Sequence, residues 1–412
     1  MIAVIQAGGK GTRITSITED KIPKPMLKIA DRPILYHQIM NLKKYGIREV
    51  IIIVSHLGNV IKDYFKDGED LGVKISYVLE SPDVPLGTAG ALFYLKNTIK
   101  DDFIFLLGDI FIDIDFKRFI FYHKSHKGDV TLLTHPNNHP FDSDLILTNN
   151  NLVIGIDYKD NVRTNYHNLV NAGVMIFSSH CLEFIKECKK YNYEKDIIFP
   201  LIKKHMVYSY KTSEYVKDIG TPERYNQVVH DYYNNIPSIK NLSNLQKCIF
   251  LDCDVIFNKN FVTNLDNFQL STDFIKGIKR INESGYLCII ITNQNGITLE
   301  YLNEIYKKLE TLLGENNAYI DDIFCFSHYS NMKNDSKIIK LKSNDENYES
   351  KMTLIENATF KYHIDITKSY IIVNNSESDY AKKNGLKSVS LIDCDKHNNL
   401  YEVINNIIDI SN

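Results

Sequence analysis

The sequence predicts an α/β protein of two domains, each built on a mostly parallel sheet. Three observations carry this reading. Short apolar runs alternate with helix-period segments through both halves of the chain. The alternation stops once, across the polar stretch Asp231–Ser243, and then restarts. The length of 412 residues exceeds what one core of ordinary size organises.

In the first half, strands are expected at Ile2–Gln6, Glu49–Ser55, Lys74–Leu79, Phe103–Leu107, Val130–Thr134 and Val170–Phe177. Amphipathic stretches at Ile34–Tyr45, Val60–Phe65 and Ala89–Ile99 are expected as helices between them. The domains are placed at 1–233 and 247–412, with 234–246 as linker. In the second half, strands are expected at Cys248–Leu251, Leu287–Ile291, Asp322–Phe326, Tyr370–Val373 and Ser388–Ile392. Helices Phe274–Asn282 and Leu299–Leu313 separate the first three, and Asn331–Glu349 is expected as a mobile loop.

Composition narrows the function classes. A net charge of −3 gives no basic footprint for nucleic acid or an anionic membrane surface, so neither is expected as a partner. No apolar run approaches the roughly 18–20 residues that span a bilayer. The start, Met1-Ile-Ala-Val-Ile-Gln-Ala, lacks a basic segment and reads as a first strand rather than a signal peptide. Seven cysteines are scattered without C-x-x-C spacing, which fits free thiols in a reducing cytoplasm. Oligomeric state is left open, a homo-oligomer included.

On open α/β sheets ligands bind beyond the carboxyl ends of the strands, so the loops there are the place to look. Ala7-Gly8-Gly9-Lys10-Gly11-Thr12-Arg13 follows the first strand directly, and glycines let backbone N–H groups approach phosphate oxygens. It is neither G-x-G-x-x-G nor G-x-x-x-x-G-K-[ST], which argues against a dinucleotide oxidoreductase and a P-loop NTPase. In Lys21-Ile22-Pro23-Lys24-Pro25-Met26 two prolines stiffen the backbone around Lys24, on a segment expected to be extended, and aim its ammonium. Leu106-Leu107-Gly108-Asp109 and Lys217-Asp218-Ile219-Gly220-Thr221-Pro222 place two carboxylates where strands end, a donor set suited to Mg²⁺.

Together these segments, with Pro85-Leu86-Gly87-Thr88-Ala89-Gly90 and Asn171-Ala172-Gly173, resemble the sugar-1-phosphate nucleotidyltransferases from Met1 to about Tyr233. The resemblance implies a Rossmann-like domain with a mixed, mostly parallel sheet. It implies that Gln6, Ala7, Gly8, Gly9, Gly11, Thr12, Arg13, Pro85, Gly87 and Thr88 line the nucleotide, and that Asp109 and Asp218 hold Mg²⁺. Arg13 would hold the leaving pyrophosphate, Lys24 the α-phosphate and sugar phosphate, and Asn171 and Gly173 the sugar hydroxyls. Many relatives carry Glu-Lys-Pro before the Asn-Ala-Gly strand. Here the segment is Asp157-Tyr158-Lys159-Asp160-Asn161, which leaves Lys159 as the candidate for the sugar phosphate. The Thr134–Asp144 stretch is similar to the subgroup associated with heptose activation and is expected as a sugar-side loop rather than a metal site. The partners implied are a nucleoside triphosphate, GTP above the others, and a sugar 1-phosphate, a heptose above mannose or glucose. A non-catalytic regulatory relative is the alternative of a different class.

Phe250-Leu251-Asp252-Cys253-Asp254 ends an apolar strand with carboxylates at i and i+2, and the next strand ends in Thr292-Asn293. These residues resemble the haloacid-dehalogenase superfamily, nearest its small histidinol- and heptose-bisphosphate phosphatases, again a Rossmann-like fold. That implies Asp252 and Asp254 as nucleophile and acid/base, with Thr292, Asn293 and Lys351 on the phosphate. Asp252, Asp254 and Asp379 would surround Mg²⁺. The pattern departs where Val255 replaces a glycine and where Asn375 replaces an aspartate. Two readings stay open for this half: a sugar-bisphosphate phosphatase, or a domain kept for packing, dimerisation or gating.

Overall fold

In the computed structural model the apolar run after Met1 forms β1 (Ile2–Gln6), paired in parallel on both sides. β2 (Glu49–Val54) lies on one side, β3 (Lys74–Leu79) extends beyond β2, and β4 (Phe103–Leu107) lies on the other. Such strands are covered on both faces, which explains their unbroken Ile, Val and Phe rather than alternation. α1 (Ile34–Lys44) and α2 (Gly58–Phe65) supply part of that cover, packing Leu35, Ile39, Leu42, Ile61 and Phe65 with Ile5, Val50, Ile52 and Val54. The structure describes residues 1–9, 12–252, 265, 268–293, 298–326, 346–374, 385–391 and 400–410.

The chain continues through β5 (Ile110–Asp113), α3 (Phe116–Lys124), β6 (Val130–His135), β7 (Leu145–Asn149), β8 (Leu152–Asp157), β9 (Val170–Phe177), β10 (Val207–Lys211), β11 (Tyr215–Asp218) and α4 (Pro222–Tyr233). The main sheet has nine strands in the order β3-β2-β1-β4-β9-β6-β10-β8-β7. β9 runs antiparallel to β4, so the sheet is mixed, as expected. β5 and β11 form a separate antiparallel pair. α3 is capped by Asp115, whose side chain accepts from the Lys117 and Arg118 amides, and α4 by Thr221 with Pro222 in its first turn.

A second sheet is wholly parallel, with strands β12 (Cys248–Asp252), β13 (Leu287–Asn293), β14 (Asp322–Phe326), β15 (Tyr370–Asn374) and β16 (Lys387–Leu391). Their order is β14-β13-β12-β15-β16, a doubly wound topology whose strand order reverses beside β12. α5 (Thr272–Ser284), α6 (Leu299–Glu315), α7 (Glu346–Tyr362) and α8 (Leu400–Ile410) accompany it. Ser271 and Thr298 cap α5 and α6 by accepting the Phe274 and Tyr301 amides.

The chain divides into two compact units whose boundaries differ from those expected. The first holds Met1–His135, Ile146–Asp157 and Asn171–Asn241; the second holds Pro136–Leu145, Tyr158–Val170 and Leu242–Asn412. Two excursions from the first half thus belong to the second unit. The stretch expected as linker carries a helical turn over Ile236–Lys240. Pro237 sits in its first turn, where no N–H is needed, and Asn241 is pinned between Tyr45 Oη at 3.0 Å and Asp113 Oδ1 at 2.6 Å.

Two other expectations change. Ala89–Ile99 is not an α-helix but carries a 3₁₀ segment over Gly90–Leu95, with Gly90 pressed so closely on the Lys189 carbonyl that a Cβ would collide. The expected loop Asn331–Glu349 overlaps the start of α7, and residues 331–345 lie outside those described. The β7–β8 hairpin turns through Asn150 and Asn151, with φ of 49° and 66°, the left-handed pair that a two-residue hairpin demands. Among the described residues no helix is long and apolar enough to cross a membrane.

Candidate active site

The first site is built where β1 and β4 end. Gly8 follows β1 in a space where a Cβ would meet Glu80 Oε2 at 3.1 Å and Ser55 Cβ at 3.2 Å. Gly108 turns the chain out of β4, its N–H donating to the Gln6 carbonyl at 2.8 Å. Asp109 comes next. Its Oδ2 accepts from Lys24 Nζ at 2.6 Å. The Lys24 side chain is only 7% exposed while that of Asp109 is 41% exposed, so a buried cation points at a carboxylate that still reaches solvent. Lys24 opens a 3₁₀ turn, Lys24–Met26, rather than the extended segment expected; Pro23 at φ −71° and ψ 147° carries the extended part alone. Pro25 inside the turn explains the difference, because its φ suits a helical first turn.

Register brings the second carboxylate alongside. β11 pairs antiparallel with β5 so that Asp218 stands opposite Ile110, and the Ile219 N–H donates to the Asp109 carbonyl at 3.2 Å. Asp218 Oδ1 accepts from the Gly220 amide at 2.8 Å, and Arg224 Nη1 reaches both its oxygens at 3.1 and 2.9 Å. Arg13 is exposed in the turn after the glycine loop, and a Cβ at Gly220 would lie 3.4 Å from its Nη2. Lys24, Asp109, Asp218 and Arg13 therefore gather at one sheet edge, as the sequence led one to expect. Asp231 anchors this edge from α4. It accepts from Tyr215 Oη at 2.7 Å, Lys217 Nζ at 2.9 Å and Gln227 Nε2 at 2.7 Å. Burial raises its pKa, but the Lys217 charge and these three bonds outweigh burial and hold the carboxyl below its usual range.

Pro85, Gly87 and Thr88 form a loop beside this edge. The Tyr191 amide donates to the Leu86 carbonyl at 3.0 Å, and the Tyr193 amide to Thr88 Oγ1 at 3.1 Å. Gly87 has φ +75° and would collide with the Tyr191 carbonyl if it bore a Cβ. Gln6 Nε2 donates to the Gly87 carbonyl at 3.3 Å, while its buried Oε1 has no hydrogen-bond partner among the described residues. Between loop and glycines lies Glu80, which the sequence reading did not single out. It is 6% exposed; one oxygen accepts from the Leu86 amide and the other lies over Gly8. Burial pushes its carboxyl above the usual range, against the opposing bonds from Leu86 and Gln6. A single acidic residue directly after the apolar strand Lys74–Leu79 is the signal that could have found it. Arg224 was also missed, and its sequence signal is no more than a cation three residues after the cap of α4.

Asn171 Oδ1 accepts from the Gly173 amide at 3.1 Å, and Gly173 adopts φ +74° with the Leu107 side chain against it. Lys159 belongs instead to the second unit, exposed, with its amide donating to Asp144 Oδ1 at 2.8 Å. Of the loop expected on the sugar side, residues 134–144, the part from Pro136 on belongs there too, and His139 Nδ1 meets Asp142 Oδ1 at 2.8 Å.

In the second unit Asp252 ends β12, fully buried, and Lys351 Nζ of α7 reaches its Oδ2 at 2.8 Å with 7% side-chain exposure. Thr292, on the neighbouring strand β13, is also fully buried, and its Oγ1 has no hydrogen-bond partner among the described residues. Thr12 opens the 3₁₀ turn Thr12–Ile14 and Asn293 ends β13. Gly11, Asp254 and Asp379 lie outside the described residues. Among those described, no three His, Cys, Asp or Glu gather as a metal cage. The first site offers a pair of carboxylates instead.

Comparison with known proteins gives a family for the first part of the chain. The nucleotidyl transferase family matches residues 2–235. The chain is 35% identical over 226 residues to the D-glycero-alpha-D-manno-heptose 1-phosphate guanylyltransferase of Campylobacter jejuni, a match covering 55% of this chain and 97% of that one. It is 31% identical over 241 residues to the mannose-1-phosphate guanylyltransferase catalytic subunit beta of Dictyostelium discoideum, covering 58% and 66% respectively. A solved Bacillus anthracis chain assigned as a glucose-1-phosphate thymidylyltransferase superposes with a TM-score of 0.50 at 22% identity. The superposition covers 56% of this chain and 94% of that one, a likeness of fold.

Proposed function

Because the chain belongs to the nucleotidyl transferase family, we propose that its first unit transfers a guanylyl group from GTP to a sugar 1-phosphate, a heptose 1-phosphate first among candidates. The observation that carries transfer is the buried Lys24 ammonium 2.6 Å from Asp109, with Asp218 opposite Ile110, the residue after Asp109. A phosphate oxygen of the sugar attacks the α-phosphorus in line, one P–O bond forms as the bond to the β-phosphate breaks, and pyrophosphate leaves. This needs positioning and charge neutralisation rather than a nucleophilic side chain. Lys24 would orient the α-phosphate and the incoming sugar phosphate, and Arg13 would hold the pyrophosphate. Asp109 and Asp218 supply two hard oxygen ligands, few enough for an ion that takes the rest of its shell from phosphates and water, and so fit Mg²⁺. When bound, that ion would neutralise phosphate charge.

Glu80 supports guanine. An ionised carboxylate only accepts, and guanine presents two adjacent donors, N1–H and the exocyclic N2–H₂, on one edge. Uracil and thymine present a single N–H between two carbonyls, which a carboxylate would repel. Heptose is supported by the Campylobacter relative, whose match runs nearly end to end. The test is product identification by mass spectrometry from GTP with heptose, mannose or glucose 1-phosphate. GDP-heptose as the main product supports the reading, and a GDP-hexose would replace the sugar while keeping the chemistry. We also place the chain in the cytoplasm, supported by free thiols at Cys181, Cys188, Cys248, Cys288 and Cys325.

A second reading concerns the second unit, and the Asp252–Lys351 pair favours it. We propose a phosphohydrolase site of the haloacid-dehalogenase kind. Asp252 would attack a phosphate ester and expel the alcohol, water would then cleave the aspartyl phosphate, and Lys351 and Thr292 Oγ1 would hold the phosphate oxygens. Release of inorganic phosphate from a sugar bisphosphate, lost in Asp252→Asn, is its test; no release would leave a packing role for this unit.

A further inference from the structure

Arg224 of α4 plays no part in the transfer scheme above, yet it stands on one of the two carboxylates assigned to the metal. Its Nη1 lies 3.1 Å from Asp218 Oδ1 and 2.9 Å from Oδ2, so the guanidinium engages both oxygens. The Gly220 amide adds a bond to Oδ1 at 2.8 Å. The other carboxylate is also held by a cation, Lys24 Nζ at 2.6 Å from Asp109 Oδ2. The two cations differ in burial: the Lys24 side chain is 7% exposed and that of Arg224 is 23% exposed. The Arg224 N–H donates to the capping Thr221 Oγ1 at 3.4 Å, which fixes its backbone. A change of partner therefore needs side-chain rotation and no movement of α4. A Cβ at Gly220 would lie 2.7 Å from Asp218 Oδ1 and 3.4 Å from Arg13 Nη2. The guanidinium assigned to pyrophosphate thus stands beside the carboxylate that Arg224 holds, and a triphosphate on Arg13 comes within side-chain reach of Arg224.

A guanidinium and a divalent cation seek the same oxygens. Asp218 offers only acceptor lone pairs, and while Arg224 engages them an ion can add there only against a fixed positive charge. Arginine stays protonated at any pH near neutrality, so acidity does not relieve this competition. A triphosphate does, because its oxygens suit the arginine fork as well as a carboxylate and bring more negative charge. We propose that Arg224 couples metal binding to nucleotide binding, holding Asp218 against the cation in the chain alone and passing to the triphosphate when nucleotide enters. The inference rests on the nucleotidyl-transfer reading and its Mg²⁺ assignment, and adds an order to it: the ion is taken up with the nucleotide rather than before it. Competition has a signature that mere support lacks. An arginine that only oriented Asp218 would strengthen metal binding, whereas one that competes weakens it.

The test uses the full chain without sugar phosphate, so that no turnover intervenes. Mn²⁺ alone is titrated and followed by electron paramagnetic resonance, and GTP binding is measured by equilibrium dialysis with a chelator present. Arg224→Gln should tighten Mn²⁺ binding about tenfold and weaken metal-free GTP binding by a similar factor. Arg224→Lys keeps the charge without the planar fork; it should tighten Mn²⁺ less, and it carries the test if the glutamine variant does not fold. Adding Asp218→Asn to Arg224→Gln should abolish the gain in Mn²⁺ affinity, which assigns that gain to this carboxylate rather than to acids elsewhere on the surface. Mn²⁺ affinity unchanged or weakened in Arg224→Gln, or metal-free GTP binding at the wild-type level, would overturn the proposal. A wild-type chain that binds GTP but releases no pyrophosphate with any sugar 1-phosphate would instead refute the transfer reaction, whatever Arg224 does.

Discussion

Lys24 Nζ lies 2.6 Å from Asp109 Oδ2, and the two partners differ sharply in burial. Removing one is therefore not equivalent to removing the other. In Lys24→Ala the remaining carboxylate stays solvated, so stability should fall by less than about 1 kcal/mol while turnover falls well over tenfold. Asp109→Asn keeps an acceptor for the ammonium but removes a metal-binding charge, and should reduce turnover by a similar factor without unfolding. Thermal denaturation alongside pyrophosphate release checks both. Unchanged turnover in either variant would remove the assigned role.

Glu80 sets a prediction about base and pH together. Its carboxyl is raised by burial, and guanine needs the ionised form. As pH falls toward that raised pKa the carboxylate gains a proton, so KM for GTP should rise on the acid side while KM for the sugar phosphate stays level. A raised acid costs stability as pH climbs from its unfolded value through its folded one. Glu80→Gln should therefore be no less stable at pH 7, lose the acid-side rise, and accept UTP or dTTP better relative to GTP by about tenfold. A variant that keeps wild-type base preference would contradict the assignment.

Asp231 predicts the pH dependence of folding. Its carboxyl is held below the usual range in the folded chain. The stability this contributes is fully present above the unfolded value of about 3.9 and is lost as pH falls through the lower folded value. Asp231→Asn should cost about 1–3 kcal/mol at pH 7 and flatten the acid limb of a urea-unfolding series. An unchanged acid limb would mean that the Lys217 pair contributes nothing.

Asp252 and Lys351 form a buried pair in the second unit, and truncating Lys351 removes the opposite charge 2.8 Å from a fully buried carboxylate. Lys351→Met should destabilise that unit by about 3–5 kcal/mol, seen as an earlier unfolding transition. Asp252→Asn should leave nucleotidyl transfer intact. A collapse of transfer in that variant would show that the two activities are coupled.

Much of this was legible in the sequence because local rules decide it. Ile2–Gln6 and Phe103–Leu107 announce buried parallel strands by unbroken apolar runs, and Thr221-Pro222 announces the start of α4. The candidate residues Lys24, Asp109 and Asp218 were found because strand ends and proline turns mark them. Glu80 was not, since one acidic residue after a strand says nothing until folding places it over Gly8. The excursions at 136–145 and 158–170 were invisible for a related reason: their partners on α6 lie more than 130 residues away, and a buried Glu310 inside Lys-Lys-Leu-Glu-Thr looks like any solvated helix face. The Ala89–Ile99 segment misled because its helical period was real while the close approach of Gly90 to Lys189 was not encoded nearby.

The most direct test of the central claim is pyrophosphate release by the purified chain, with four nucleoside triphosphates crossed against several sugar 1-phosphates at millimolar Mg²⁺. Release confined to GTP, strongest with a heptose 1-phosphate and abolished in Lys24→Ala, is the predicted result. Release with every base alike would contradict the role of Glu80, and silence across the whole panel with nucleotide still bound would contradict transfer itself.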